Sequence, residues 1–196
     1  MCGRYYIESD NPDEKLTAII TMMEKNYPGK YKIGEIFPGD SAPAMIEQNG
    51  KIIAVPAVFG FPGFQDGKLL INARSETAAE KRTFAEGLRT RRVILPATGF
   101  FEWSHDTKKT KYLFTVDSRN VVYLCGVYKI VDGEYRFVIL TRAANESMAE
   151  THHRMPIIAA EEEVRPYLSD YDSAIRIIAS EAPELVRELA AKKKAE

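Results

Sequence analysis

Apolar positions along this chain follow two spacings, and the spacing assigns the elements. Leu16, Ile19, Ile20 and Met23 recur every three or four residues, which puts them on one face of a helix. Asn11 before Pro12 reads as an N-cap with proline at the first helical position, so an amphipathic helix is predicted over 12–25. Elsewhere the apolar residues form short runs rich in Val, Ile, Tyr and Phe, which fit a pleated surface. These runs predict strands at 3–7, 43–47, 51–58, 92–96, 98–104, 111–116, 121–130 and 135–141. Asp132-Gly133 between two of them marks a hairpin. The stretches IFPGDSAP and FGFPGF carry the Pro and Gly of loops. Short helical pieces are expected between Ser75 and Leu88 and near 145–149 and 161–168. Asp170 to Ile178 predicts a final short strand, followed by a C-terminal helix at 182–194 and a solvated AAKKKAE tail.

Strands dominate and helices are peripheral. This pattern predicts an α+β fold: a single domain over 1–196 with a twisted, barrel-like, mainly antiparallel β core. A length of 196 residues suits one domain, and 45% hydrophobic with 28% charged residues is ordinary for a globular protein. The formal net charge of -1 excludes a globally basic surface, so any nucleic-acid site must be a local cluster of Arg and Lys. No apolar run has the length of a membrane span, and MCGRYYIESD lacks the pattern of a secretory signal. A cytoplasmic protein that does not touch a membrane is therefore expected. The two cysteines, Cys2 and Cys125, form neither a disulfide framework nor a zinc spacing, and no metal or cofactor is expected. Cys125, within VVYLCGVY, reads as a buried small hydrophobe.

Four separated segments place reactive or polar groups among turn residues: MCGRY, NARSET, GFFEW and HHRMP. Cys2 follows the initiator Met and is small enough to permit its removal. The product would be a 1,2-aminothiol, whose amine and thiol both titrate near neutrality. Such a pair condenses with an aldehyde: the amine forms an imine and the thiol closes a five-membered thiazolidine, a ring closure favoured by proximity. Loss of water from the carbinolamine wants a general acid, and Glu102 and His152 are candidates by type. Among Phe100, Phe101 and Trp103, Glu102 would have a raised pKa, although strand alternation would equally turn it to solvent. One of His152 and His153 reads as exposed, and His105 reads as a loop residue. Asn72 can orient a group without titrating. Arg74 and Arg154 could each fork onto a phosphate or form internal salt bridges. The run Arg89, Arg91, Arg92 is either a phosphate-facing strip or a solvated face.

Taken together and in this order, MCGRY, NARSET, RRVILPATGFFEW and HHRMPIIA resemble the signature segments of the SRAP family (SOS response-associated peptidases), the abasic-site processing proteins. The resemblance spans residues 1 to about 158. It implies that Cys2, after autocatalytic or enzymatic loss of Met1, links covalently to an abasic site in single-stranded DNA and shields it. Asn72 would position the N-terminus, Glu102 would shuttle protons, and His152 would handle the ring oxygen of the sugar. Arg4, Arg74 and Arg154 would hold phosphates. Pro38, Phe59 and Trp103 would lie along the strand, where aromatic faces stack on bases. The implied partner is single-stranded DNA with abasic sites, bound by a monomer that joins the nucleoid when on DNA.

The chain departs from the family pattern in two places. Glu35-Ile36-Phe37-Pro38-Gly39 keeps the family's proline and loses its asparagine. Phe59-Gly60-Phe61 and Phe64 stand where tryptophans are usual. Two further classes of function stay open on the residues alone. One is an N-terminal-cysteine peptidase or amide hydrolase, since loss of Met1 is itself amide hydrolysis. The other is a noncovalent nucleic-acid-binding module.

Overall fold

A computed structural model describes residues 2–10, 12–63, 65, 67–105, 107–117 and 119–190. The chain begins with strand β1 (Arg4–Ile7) and helix α1 (Glu14–Asn26). Leu16, Ile19 and Met23 bury one face of α1, as the spacing requires. The expected cap Asn11 lies outside the described residues; Asp13 caps the helix, accepting from the Lys15 N–H at 2.9 Å.

Strand β2 (Gly34–Ile36) precedes the hairpin β3 (Ser41–Gln48) and β4 (Lys51–Phe59). Its turn is Asn49-Gly50, with φ of 53° and 76°, and the Asp132-Gly133 turn has φ of 52° and 81°. Positive φ at both central residues gives the twist that tight hairpins need. A short ladder, β5 (Phe61–Pro62) with β6 (Leu69–Leu70), leads to β7 (Asn72–Arg74), α2 (Ser75–Ala78) and α3 (Ala85–Thr90). Five longer strands follow: β8 (Arg92–Ala97), β9 (Gly99–Trp103), β10 (Lys111–Val116), β11 (Val122–Val131) and β12 (Glu134–Ala143). Helix α4 (Glu146–Ala149) and strands β13 (Arg154–Pro156) and β14 (Ile158–Ala159) come next. A 3₁₀ turn at Glu161–Glu163 then enters α5 (Val164–Ser169), α6 (Tyr171–Ala179) and β15 (Leu185–Leu189).

Two C-terminal expectations are reversed. Residues 171–179 are helical rather than a strand, because Asp170 caps the Ser173 N–H at 2.7 Å and Ala174 and Ile177 bury one helical face. The expected helix at 182–194 is instead strand β15, which pairs with the edge of β10 from Tyr112↔Leu189 to Val116↔Leu185. Residues 191–196 lie outside the described part of the chain.

β12, β4, β3, β8 and β11 pair in a closed ring, with β12 and β11 completing the circuit. All pairs in the ring are antiparallel except β12 with β4. An open antiparallel sheet, ordered β15-β10-β9-β1-β2, packs against this barrel. The expectation of an α+β fold with a barrel-like, mainly antiparallel core therefore holds.

Period-two alternation on the central strands divides two cores. Val93, Leu95 and Ala97 of β8 join Tyr5, Phe59, Phe100, Phe114 and Phe137 in the first core, between barrel and sheet. Ile94 turns the other way and meets Leu88, Tyr167 and Ile177 under the helices. Cys125 is buried in that second core, as its sequence setting suggests. Among the described residues no helix is long and apolar enough to cross a membrane.

Candidate functional site

β1 pairs with β9 in the register Arg4↔Phe101, which carries the chain ahead of Arg4 alongside Glu102 and Trp103. β7 runs parallel to β12 with Asn72 beside Ile139. From there the Asn72 Nδ2 donates to the Cys2 carbonyl at 3.2 Å. Two segments 70 residues apart thus meet at one peptide group. The Asn72 Oδ1 is buried and has no hydrogen-bond partner among the described residues.

Cys2 is fully buried, with its Sγ 3.9 Å from the Arg4 carbonyl. Burial, reinforced by the Glu102 carboxylate, pushes the thiol far above its usual range. Glu102 is 4% exposed, which settles the ambiguity of GFFEW. It shares the inward face of β9 with Phe100, and the solvated alternative is excluded. Burial raises its carboxyl pKa, and nearby His105 works against that rise. A carboxyl whose pKa is raised by burial is suited to general acid work.

His152 is also buried, on the turn that precedes β13. The Arg154 backbone N–H donates to its Nδ1 at 2.9 Å, so the neutral ring carries its proton on Nε2. Burial, helped by the His153 and His105 rings, lowers its pKa to about 4. His105 lies 4.9 Å from the His152 ring and its charge is felt at Glu102. His105 thus neighbours His152 and Glu102, while Asn72 and Glu102 act on Cys2 directly. The sequence gave His105 only a loop role. Its membership in the site depends on the turn after β9 meeting the turn before β13, which no local pattern encodes.

A cleft of about 380 Å³ opens beside Cys2, lined by Gly3, Arg4, Phe37, Pro38, Ile71 and Trp103. The Arg4 guanidinium lies 4.4 Å from the Phe37 ring centre and 4.8 Å from that of Trp103. Glu35 anchors this corner, pairing with Arg4 at 3.3 Å and Lys111 at 2.6 Å. A second cleft, of about 450 Å³, is lined by Asn72, Arg74, Lys81 and Arg82 among others. Arg74, Lys81 and Arg82 are exposed. A larger cavity, of about 690 Å³, is bordered by Glu8, Asp13, Glu14, Asp117 and Glu188. It shares no residue with the site, and its carboxylates would repel an anionic ligand.

Two expected contact residues, Phe59 and Arg154, and Arg92 of the basic run are placed elsewhere. Phe59 is fully buried and stacks on Phe137 with ring centres 5.0 Å apart, so it belongs to the core and not to a strand-binding surface. Its position at the end of β4 turns it inward between barrel and sheet. Arg154 is 7% exposed and forks onto Glu76, with a further bond to the Thr141 carbonyl, so the internal salt bridge holds in place of a phosphate contact. The pair lowers the Glu76 pKa to about 2. Arg92 is neither solvated nor phosphate-facing. Its guanidinium donates to the Leu88, Arg89, Tyr167 and Leu168 carbonyls, closing the ends of α3 and α5 together. Arg91 pairs with Glu86 at 2.8 Å, and Phe64 lies outside the described residues.

The family model for SOS response associated peptidase (SRAP) matches residues 1–192. The chain belongs to the SRAP family. The match runs well beyond residue 158, where the recognisable motifs end. Among SRAP relatives, abasic site processing protein YedK of Escherichia coli strain K12 is 28% identical over 181 residues, covering 86% of this chain and 79% of the relative. Abasic site processing protein YoqW of Bacillus subtilis strain 168 is 30% identical over 183 residues, covering 86% and 80%. A crystal structure of a Bacteroides thetaiotaomicron protein shares the fold with a TM-score of 0.74 at 19% identity, covering 99% of this chain and 95% of that one. A Bordetella bronchiseptica protein matches with a TM-score of 0.73 at 18% identity, covering 97% and 100%.

Proposed function

We propose that this SRAP protein processes abasic sites in single-stranded DNA by bonding to them through Cys2. Removal of Met1, by the protein itself or by an aminopeptidase, uncovers the Cys2 amine. The amine adds to the open-chain aldehyde of the abasic sugar and gives a carbinolamine. Glu102, whose pKa is raised by burial, donates a proton as the hydroxyl leaves as water and takes back the proton from nitrogen, so that an imine forms. The Cys2 sulfur then adds to the imine carbon and its proton moves to nitrogen, closing a thiazolidine. The balance is one C–N bond and one C–S bond formed and one water lost. His152, with its proton on Nε2, would donate to the sugar oxygen as the ring opens. Asn72 holds the Cys2 carbonyl, a contact that processing of Met1 leaves intact.

The observation that carries this reading is the bond from Asn72 to Cys2 beside the buried Glu102. The abasic-site processing for which the YedK and YoqW relatives are named agrees with it. The two clefts flanking Cys2 and Asn72 suit a single strand: aromatic rings with Arg4 on one side, and Arg74, Lys81 and Arg82 on the other. This local basic cluster offers phosphate contacts on a protein whose net charge is -1.

The test is incubation of Met1-processed protein with single-stranded DNA carrying one abasic site, followed by a denaturing gel. A slow-migrating covalent band that Cys2→Ala abolishes is expected. Intact-mass measurement should show the loss of Met1. Full retention of Met1 in active protein, or a band that survives Cys2→Ala, overturns the reading. Turnover of an amide substrate without any band would support a hydrolase instead.

A further inference from the structure

The geometry points to a metal site built from His105, His152 and His153, selective for a zinc-class divalent ion. One possible ligand atom from each of the three residues lies within 4.8 Å of the others. Their rings are close-set: the His152 and His153 centroids are 4.4 Å apart, His105 and His152 4.9 Å, and His105 and His153 6.2 Å. A tetrahedral zinc with Zn–N bonds of about 2.0–2.1 Å needs its nitrogens roughly 3.3 Å apart. The group is thus about 1.5 Å short of closure. His105 and His153 are exposed, on the turn after β9 and the turn before β13, so rotation of their side chains can supply that convergence.

His152 is the fixed member. It is 7% exposed, and its Nδ1 sits between the Arg154 N–H at 2.9 Å and the Arg154 carbonyl at 3.2 Å. Ligation through Nε2 requires the other neutral tautomer, in which Nδ1 gives up the Arg154 N–H bond at 2.9 Å and its own N–H donates to that carbonyl at 3.2 Å. The second-shell acceptor that orients metal-binding imidazoles is therefore already in position. Each ring contributes one lone pair and no net proton is released. Three imidazoles with an open fourth position suit Zn²⁺, Co²⁺, Ni²⁺ or Cu²⁺, whereas Mg²⁺ and Ca²⁺ prefer oxygen ligands.

The consequence rests on the proposed function. A bound ion holds the His152 nitrogen that would otherwise serve the sugar, so occupancy reversibly withdraws the protein from crosslinking. Chelation restores it.

The experiment titrates Co²⁺ into untagged, metal-free protein and follows the visible absorption of tetrahedral cobalt. Wild type should develop the band, Zn²⁺ should displace it and excess Mg²⁺ should leave it unchanged. His105→Ala and His153→Ala should each weaken binding by more than the roughly tenfold that second-shell changes cost. No visible band in wild type overturns the proposal. A band that persists in the double variant, or one carrying sulfur-to-cobalt charge transfer, also overturns it by placing the ion elsewhere. Crosslinking to an abasic oligonucleotide is measured in parallel, with Zn²⁺ slowing wild type and sparing His153→Ala. Cobalt binding with no crosslink in any condition would sink the proposed function and leave the metal site standing.

Discussion

Replacing Asn72 with Asp preserves the size of the side chain and turns its donor toward Cys2 into an acceptor. The Asn72 Nδ2 bond to the Cys2 carbonyl measures 3.2 Å, and the rest of Cys2 is buried around it. Loss of one such bond costs about 0.5–1.5 kcal/mol. Two acceptors facing each other in a buried site add the roughly 1–3 kcal/mol of an unsatisfied group. Placement of Cys2 then worsens by about 2–4 kcal/mol, and the single-turnover crosslinking rate should fall roughly 30- to 1,000-fold. Asn72→Ala loses only the bond, so a fall of about 2- to 13-fold is expected. The assay quenches samples at timed intervals and resolves bound from unbound abasic oligonucleotide on a denaturing gel. A thermal melt of each variant separates placement from unfolding. Wild-type rates in Asn72→Asp with an unchanged melt would refute the positioning role, as would an Asn72→Ala variant slower than Asn72→Asp.

Three further outcomes follow from the same geometry. Glu102→Gln should slow crosslinking by about 10²–10⁴-fold, the usual range for a lost general acid. Because burial raises the Glu102 pKa, its charged form opposes folding above that pKa, and the Gln variant should be at least as resistant to urea as wild type at pH 7.5. Arg92→Met leaves the carbonyl ends of α3 and α5 without their shared donor and should cost about 1–3 kcal/mol in chemical denaturation, with Arg92→Lys recovering part of it. Glu76 has its pKa lowered from 4.5 to about 2 by Arg154, so its stabilising effect is present above pH 4.5 and lost as pH falls toward 2. The difference in melting temperature between wild type and Glu76→Gln should therefore shrink from pH 5 to pH 3.

Local pattern made much of the fold legible. The spacing of Leu16, Ile19 and Met23 defined α1, and the apolar runs located β3, β4 and β8 to β12 within a few residues. Local pattern misled where two forces of similar size competed. PELVREL has helix-forming composition, but helix propensities differ by only a few tenths of a kcal/mol per residue. The open edge of β10 offers that segment a row of backbone partners, and β15 takes them. Residues 171–179 are rich in isoleucine and read as a strand, yet the Asp170 cap and the buried face of Ala174 and Ile177 make them helical.

The site divides in the same way. The identity of its proposed reactive groups is a property of the sequence, because an aminothiol would need only a cysteine behind a methionine that is removed. Asn72, Glu102 and His152 were recognisable by residue type and segment. Their protonation, their partners and their access were not, since these depend on which strands lie side by side. β9 is apolar on both faces, so only its packing could turn Glu102 inward. Likewise, only the closed barrel could bury Phe59 and pair Arg154 with Glu76, and only its packing against the open sheet could bring His105 to His152 and His153. Sequence determined which candidate groups the chain carries; tertiary structure decided where each group points, because burial and charge act through space and not along the chain.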